Sequence, residues 1–237
     1  MRLAGACTEI GVEDARGRRA VAASLRSSRL GRRARAVASS LATASFLLLL
    51  PACSTFHLGQ PTSDDVERVQ LGTMRALVAQ EAPNLPPDAR REIAGLLVEA
   101  QREHGLDPYL VMAVIAHESD WRPTAVAPGG SIGLLQIQPV TGQAVARELG
   151  IPWRGTATLR DPVQNVRIGL AYLAELHEQF DQNQRHALAA YNVGPGRVEE
   201  ILRRGRQPLN NYSSAVLRER DRIAENARIL SGSIAGL

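Results

Sequence analysis

Between Asp88 and His104 the apolar residues fall at helical spacing. Ile93, Leu96, Leu97 and Ala100 occupy i, i+3, i+4 and i+7, which predicts a helix closed by Gly105. Asp107-Pro108 then supplies a capping carboxylate followed by proline, so the next helix runs from Tyr109 to Ser119. In that helix the polar positions almost vanish, and a helix apolar on every side is a buried one. An irregular stretch, Arg122 to Ser131, follows. Pro139 starts another helix, ended by Gly150, and Asp161-Pro162 repeats the cap-and-proline start for a helix reaching about Phe180. Ile168, Ala171, Tyr172 and Leu176 are spaced as its inner face. Short helices over Arg185 to Asn192 and Arg197 to Arg204 flank Gly194-Pro195-Gly196. The last, Asn211 to Leu230, keeps Tyr212, Val216, Ile223, Ala227 and Leu230 in phase. A looser helix, about Asp64 to Ala79, lies ahead of the break at Pro83 to Pro87. No alternating β-branched run is long enough for a strand. The predicted fold class is all-α, with few or no strands.

Composition changes the picture mainly at the N-terminus. The net charge of +4 over 237 residues is uneven: residues 1–52 hold nine Arg and three acids, so the remainder is net acidic at −2. Every basic residue is Arg. The dense basic runs beyond the leader, Arg203 to Arg206 and Arg218 to Arg222, read as solvated helix faces, so no nucleic-acid partner is expected. Arg29, Arg32, Arg33 and Arg35 precede an apolar run, Leu41 to Leu50, that is too short for a membrane span of about 20 residues. With Leu50-Pro51-Ala52-Cys53 this has the anatomy of a secretory signal and resembles a bacterial lipoprotein cleavage site, in which Cys53 becomes the lipidated first residue. Residues 1–25 carry acids and no apolar run, which suggests a translation start placed too far upstream. The expected organisation is a leader over 1–52, then the anchor cysteine, linker and first helix over 53–86, and the main domain over 87–232. The other cysteine, Cys7, lies in the leader, leaving no disulfide or thiol nucleophile in the mature domain.

The candidate chemistry centres on Glu118. A carboxylate ending an apolar helix is partly desolvated, which raises its pKa and keeps a proton available near neutral pH, as a general acid requires. A Gly-rich segment follows at once, where backbone can approach a ligand. Gln136 and Tyr191-Asn192 are hydrogen-bonding groups bordered by turns. Asp161 has a sufficient role as a cap, Asp120 should point away from Glu118, and His117 is read as packing or solvated rather than as a base. No His/Cys cluster has metal-ligand spacing, so neither metal nor cofactor is expected.

Glu118-Ser119, then Gly133-Leu134-Leu135-Gln136-Ile137, then Ala189-Ala190-Tyr191-Asn192-Val193-Gly194-Pro195-Gly196 resemble, in order and spacing, the soluble lytic transglycosylase domain. Gly105-Leu106-Asp107-Pro108, Asp161-Pro162, Asn165, Gly169, Tyr172 and Leu173 match as well, and the resemblance runs from about Pro86 to Val216. It implies a lysozyme-like fold with a substrate groove and action on bacterial peptidoglycan glycan strands. It also implies a single Glu as acid and then base, with 1,6-anhydro products. Carried over, Glu118 is catalytic. Ser119, Gln136, Tyr191, Asn192 and Tyr212 are the substrate-side residues, with the Tyr191 hydroxyl placed to restrain Glu118. Trp121 and Trp153 either stack on sugars or fill the core. A lipidated Cys53 implies a cell-envelope, periplasmic enzyme held on a membrane.

Two positions depart from the family pattern. Many members have a Ser nine residues after the catalytic Glu, where this chain has Ala127, with Ser131 nearby. Many have Glu-Thr shortly before the last Tyr, where this chain reads Pro208-Leu209. Leu135 stands for the usual Met. Two other readings follow from the same residues: a lysozyme-like hydrolase of the same bond, and a catalytically silent peptidoglycan-binding lipoprotein.

Overall fold

In the computed structural model the described residues are 63–208 and 211–235. The leader, Cys53 and its linker lie outside them, as does Leu209. The elements are α1 (Ser63–Glu81), α2 (Pro87–His104), α3 (Pro108–Ser119), α4 (Pro139–Glu148), α5 (Thr156–Arg160), α6 (Pro162–Gln179), α7 (Gln184–Val193), α8 (Pro195–Arg203) and α9 (Asn211–Ala235). The all-α expectation holds among the described residues. The only departures are isolated antiparallel bridges pairing Ile132 with Val126 and with Ile137.

The caps are where the sequence placed them. Asp107 accepts from the Tyr109 amide at 2.9 Å, and Asp161 accepts from the amides of Val163 and Gln164 at 2.9 Å each. Gly105 closes α2 at φ 67°. The expectation missed α5. It starts from Gly155 without a side-chain cap and spans five residues, too few for a periodic signal.

α3 is the axis of the fold. Pro108 and Leu110 through Ile115 are buried, and α9 packs against α3 more extensively than any other pair of elements. The two run antiparallel. Tyr212, at the start of α9, meets Glu118 at the end of α3, and Arg220 further along meets Asp107 at the start, 3.2 Å between Nη1 and Oδ2. α1 and α2 close one flank, and Arg222 of α9 pairs with Glu81 of α1 at 2.9 Å. A smaller apolar cluster, with Leu176, Phe180, Ala187 and Val198, joins α6, α7 and α8. Trp121 is 4 % exposed and fills the interior, whereas Trp153 is half-buried against the main core.

Candidate active site

The chain reverses sharply after Glu118. Asp120 and Trp121 both take positive φ, 52° and 57°, which is uncommon for residues bearing a Cβ. The Asp120 amide still donates to Ala116 O, ending α3 with a left-handed cap. Residues 125–137 then fold back as a compact irregular loop. Ile132 and Ile137 exchange both backbone hydrogen bonds at 3.0 Å, closing a tight turn over Gly133 to Gln136. Gly133 (φ 82°) has no room for a side chain: a Cβ there would stand 2.5 Å from Leu159 O and 2.2 Å from Asn165 Nδ2.

Three side chains grip this turn. Ser119 Oγ donates to Leu134 O at 2.8 Å, with Ile115 O also within reach at 3.2 Å. The Tyr191 hydroxyl donates to Leu135 O at 2.6 Å. Asn165, fully buried on α6, accepts from the Leu135 amide at 2.8 Å and donates to Ile132 O and Leu159 O at 2.9 Å each. The polar capacity of this buried amide is nearly all used, as burial requires. The turn carrying Gly133 to Gln136 is thereby fixed against the end of the helix carrying Glu118.

Glu118 is partly exposed at the lip of this assembly. Burial raises its pKa from the ordinary 4.5 to about 7, and a hydrogen bond from the Tyr212 hydroxyl to Oε1 at 2.7 Å opposes that shift. The carbonyl end of a helix also disfavours a negative charge. The two acids weighed as its partners stand elsewhere. Asp161 is spent on capping α6, and Asp120 is exposed on the far side of the reversal. Near neutral pH, then, Glu118 exists in both protonation states, which suits one group that must give a proton and take one back.

The remaining expected site residues are distributed around it. Gln136 (φ 46°) donates from Nε2 to Gly133 O at 2.8 Å and Ala125 O at 3.2 Å, leaving its side-chain carbonyl to meet a ligand. Asn192 is partly exposed in the last turn of α7. Ser119 is 1 % exposed, so its hydroxyl acts on the protein backbone and offers no surface to a sugar. The roles of the two tyrosines differ from the expectation. Tyr191 holds Leu135 O, and Tyr212 is the residue bonded to Glu118. Tyr191 still lies near Glu118: burial pushes its phenol well above the usual range, and the Glu118 charge adds to that. Asn165 is the residue the sequence reading undervalued. Ser131 is buried and accepts from Gln138 Nε2 at 3.1 Å, so it does not bring a hydroxyl to the surface beside Ala127. Groups of three or more potential metal ligands are absent among the described residues.

An all-α domain built around one buried helix, with a desolvated carboxylate at its end beside a fixed Gly-containing turn, is a fold of the lysozyme-like class shared with the lytic transglycosylases. Residues 95–212 match the transglycosylase SLT domain, and the chain belongs to that family. A soluble lytic murein transglycosylase from Salmonella typhimurium is 43 % identical over 92 residues, 38 % of this chain and 14 % of that protein. An endo-type membrane-bound lytic murein transglycosylase A from Klebsiella pneumoniae is 36 % identical over 136 residues, 53 % of this chain and 66 % of that protein. Among solved structures, an inactive mutant of the lytic transglycosylase Slt from Pseudomonas aeruginosa superposes with TM-score 0.51 at 32 % identity, covering 56 % of this chain and 24 % of that one. A 70-kDa soluble lytic transglycosylase in complex with bulgecin A gives 0.50 at 25 % identity, covering 67 % and 30 %. The chain thus spans a small part of the soluble relatives and just under two thirds of the membrane-bound one.

Proposed function

We propose that this chain is a peptidoglycan lytic transglycosylase, cutting the β-1,4 bond between N-acetylmuramic acid and N-acetylglucosamine. The observation that carries the reading is Glu118, desolvated at the end of α3 and with its pKa raised to about 7. Protonated Glu118 gives its proton to the glycosidic oxygen. The bond to the muramic acid anomeric carbon breaks, and the N-acetylglucosamine leaves with a free hydroxyl. The substrate's own N-acetyl oxygen stabilises the positive charge left at the anomeric carbon. Glu118, now ionised, takes the proton of the muramic acid C6 hydroxyl, whose oxygen closes on that carbon. The product is a 1,6-anhydro end, Glu118 is again protonated, and no water is consumed. Enzymes that use two carboxylates divide these duties between them. Here a pKa of about 7 lets the one group give the proton and take one back in sequence. The Tyr212 bond favours the carboxylate and so favours its first proton transfer.

The envelope setting belongs to the same proposal. Lipidation at Cys53 would hold the domain on a membrane, since two acyl chains suffice where one is marginal. Among the described residues no helix is long and apolar enough to cross a membrane. The relative named as membrane-bound supports an envelope location. The test is release of soluble fragments from purified peptidoglycan by the wild type beside Glu118→Gln. The proposal expects release by the first and none by the second. Equal release by both, or none by either, would overturn it.

A further inference from the structure

His117 stands one residue before Glu118 and is exposed. Its imidazole meets the Tyr212 ring edge to face, with centroids 4.9 Å apart and planes at 74°. Successive helical residues project about 100° apart, so His117 and Glu118 leave α3 in adjacent directions, and both reach the same residue of α9. Within the core, Tyr212 is therefore met from α3 at two points, its ring by His117 and its hydroxyl by Glu118 Oε1.

Tyr212 is the second residue of α9. The first turn of a helix lacks the backbone bonds that later turns have, and helix ends are where local opening is easiest. A hydrogen bond also weakens steeply once its angle is lost. Tyr212 is 8 % exposed and part of the main core, so a tilt of its ring within that packing, rather than a swing out of it, is enough to cost Glu118 a well-aimed partner. Glu118 adjoins His117 on its own helix, and Glu219 on α9, itself paired with Arg222, acts on it electrostatically. Above the ordinary imidazole range His117 is neutral, because burial lowers its pKa and Glu219 only partly offsets that. Near neutral pH its influence on Tyr212 is then one of ring packing rather than charge.

We infer that His117 is a positioning residue that aims the Tyr212 hydroxyl at Glu118. The inference rests on Glu118 being the acid and base. The experiment is a carbon-13 titration of the Glu118 side-chain carboxyl in substrate-free full-length protein, its signal assigned by loss in Glu118→Gln. The variants are His117→Ala, His117→Phe and, as reference, Tyr212→Phe. Both His117 variants remove the imidazole charge, and only Phe retains an aromatic ring. The expected result is that His117→Ala moves the Glu118 pKa upward, in the direction of Tyr212→Phe and by a measurable part of that shift, while His117→Phe keeps the wild-type value. The basic limb of the pH–rate profile should move with it. Equal movement in both His117 variants would mean that charge, not the ring, is responsible, and would overturn the inference. No movement in either would also overturn it. Because the titration needs no substrate, its outcome is independent of whether anhydro products form.

Discussion

Replacing Asn165 with Ala removes the side chain on which the active-site turn hangs. Three hydrogen bonds go, at 2.8, 2.9 and 2.9 Å, all inside the protein. Ile132 O keeps its bond from Ile137, so the group most exposed to loss is the Leu135 amide, left buried without an acceptor. A typical bond contributes about 1 kcal/mol net, and a stranded buried donor costs about 1–3 kcal/mol. Ala is the better helix former by roughly half a kcal/mol, a small offset within α6. The balance is a loss of about 3 kcal/mol. For a domain of this size that corresponds to a fall in Tm on the order of 10 °C, read by circular dichroism or calorimetry. The carbonyl of the same peptide, Leu134 O, receives Ser119, and the next carbonyl, Leu135 O, receives Tyr191, so activity measured well below the new Tm should fall further than the loss of folded protein accounts for. Asn165→Asp keeps the shape but turns the two donors toward Ile132 O and Leu159 O into acceptors, and should be no better than Ala. A Tm within about 2 °C of wild type for Asn165→Ala would refute the reasoning, since it would mean that the turn stands without this side chain.

Three further outcomes follow from the same geometry. Gly133→Ala forces a Cβ to 2.5 Å from a backbone oxygen at φ 82°, and should cost about 1–3 kcal/mol or more in a denaturant titration, with loss of activity in the folded fraction. Tyr212→Phe removes the donor that stabilises the Glu118 carboxylate, so the Glu118 pKa rises above about 7 and the basic limb of the pH–rate profile moves to higher pH. Glu118 binds its proton more tightly in the folded state (about 7) than its ordinary 4.5, so the stability it contributes is present below 4.5 and lost as pH rises through 7. Glu118→Gln should therefore become the more stable protein across that window, by up to about 3 kcal/mol at its upper end. Identical Tm values at pH 4 and pH 8 would count against a desolvated Glu118.

Much of this arrangement was legible from local signals. Asp107-Pro108 and Asp161-Pro162 announce helix starts because capping and proline act within one turn of chain. The burial of α3 follows from an apolar run with no polar face, and Glu118 stands out because it ends that run. What could not be read depends on contacts far apart in sequence. Nothing local distinguishes Tyr191 from Tyr212 as the partner of Glu118, because the choice is made by how α7 and α9 dock on α3. Ser119 looked available to substrate, and only the fold of Gly133 to Gln136 against α3 shows its hydroxyl committed to Leu134 O. Asn165 stands in the sequence only as a match to the family pattern, with no role attached to it. Its importance appears once the turn brings the Leu135 amide and two carbonyls to it. α5 was missed for the opposite reason, being too short to carry any pattern.

The central claim is that Glu118 alone acts as acid and then as base, with a substrate hydroxyl in place of water. Digestion of peptidoglycan in heavy-oxygen water, followed by mass analysis of the new chain ends, tests it most directly. The new ends should be one water lighter than a reducing sugar, without heavy oxygen, and absent with Glu118→Gln. Reducing ends carrying heavy oxygen would contradict it and make the protein a lysozyme-like hydrolase.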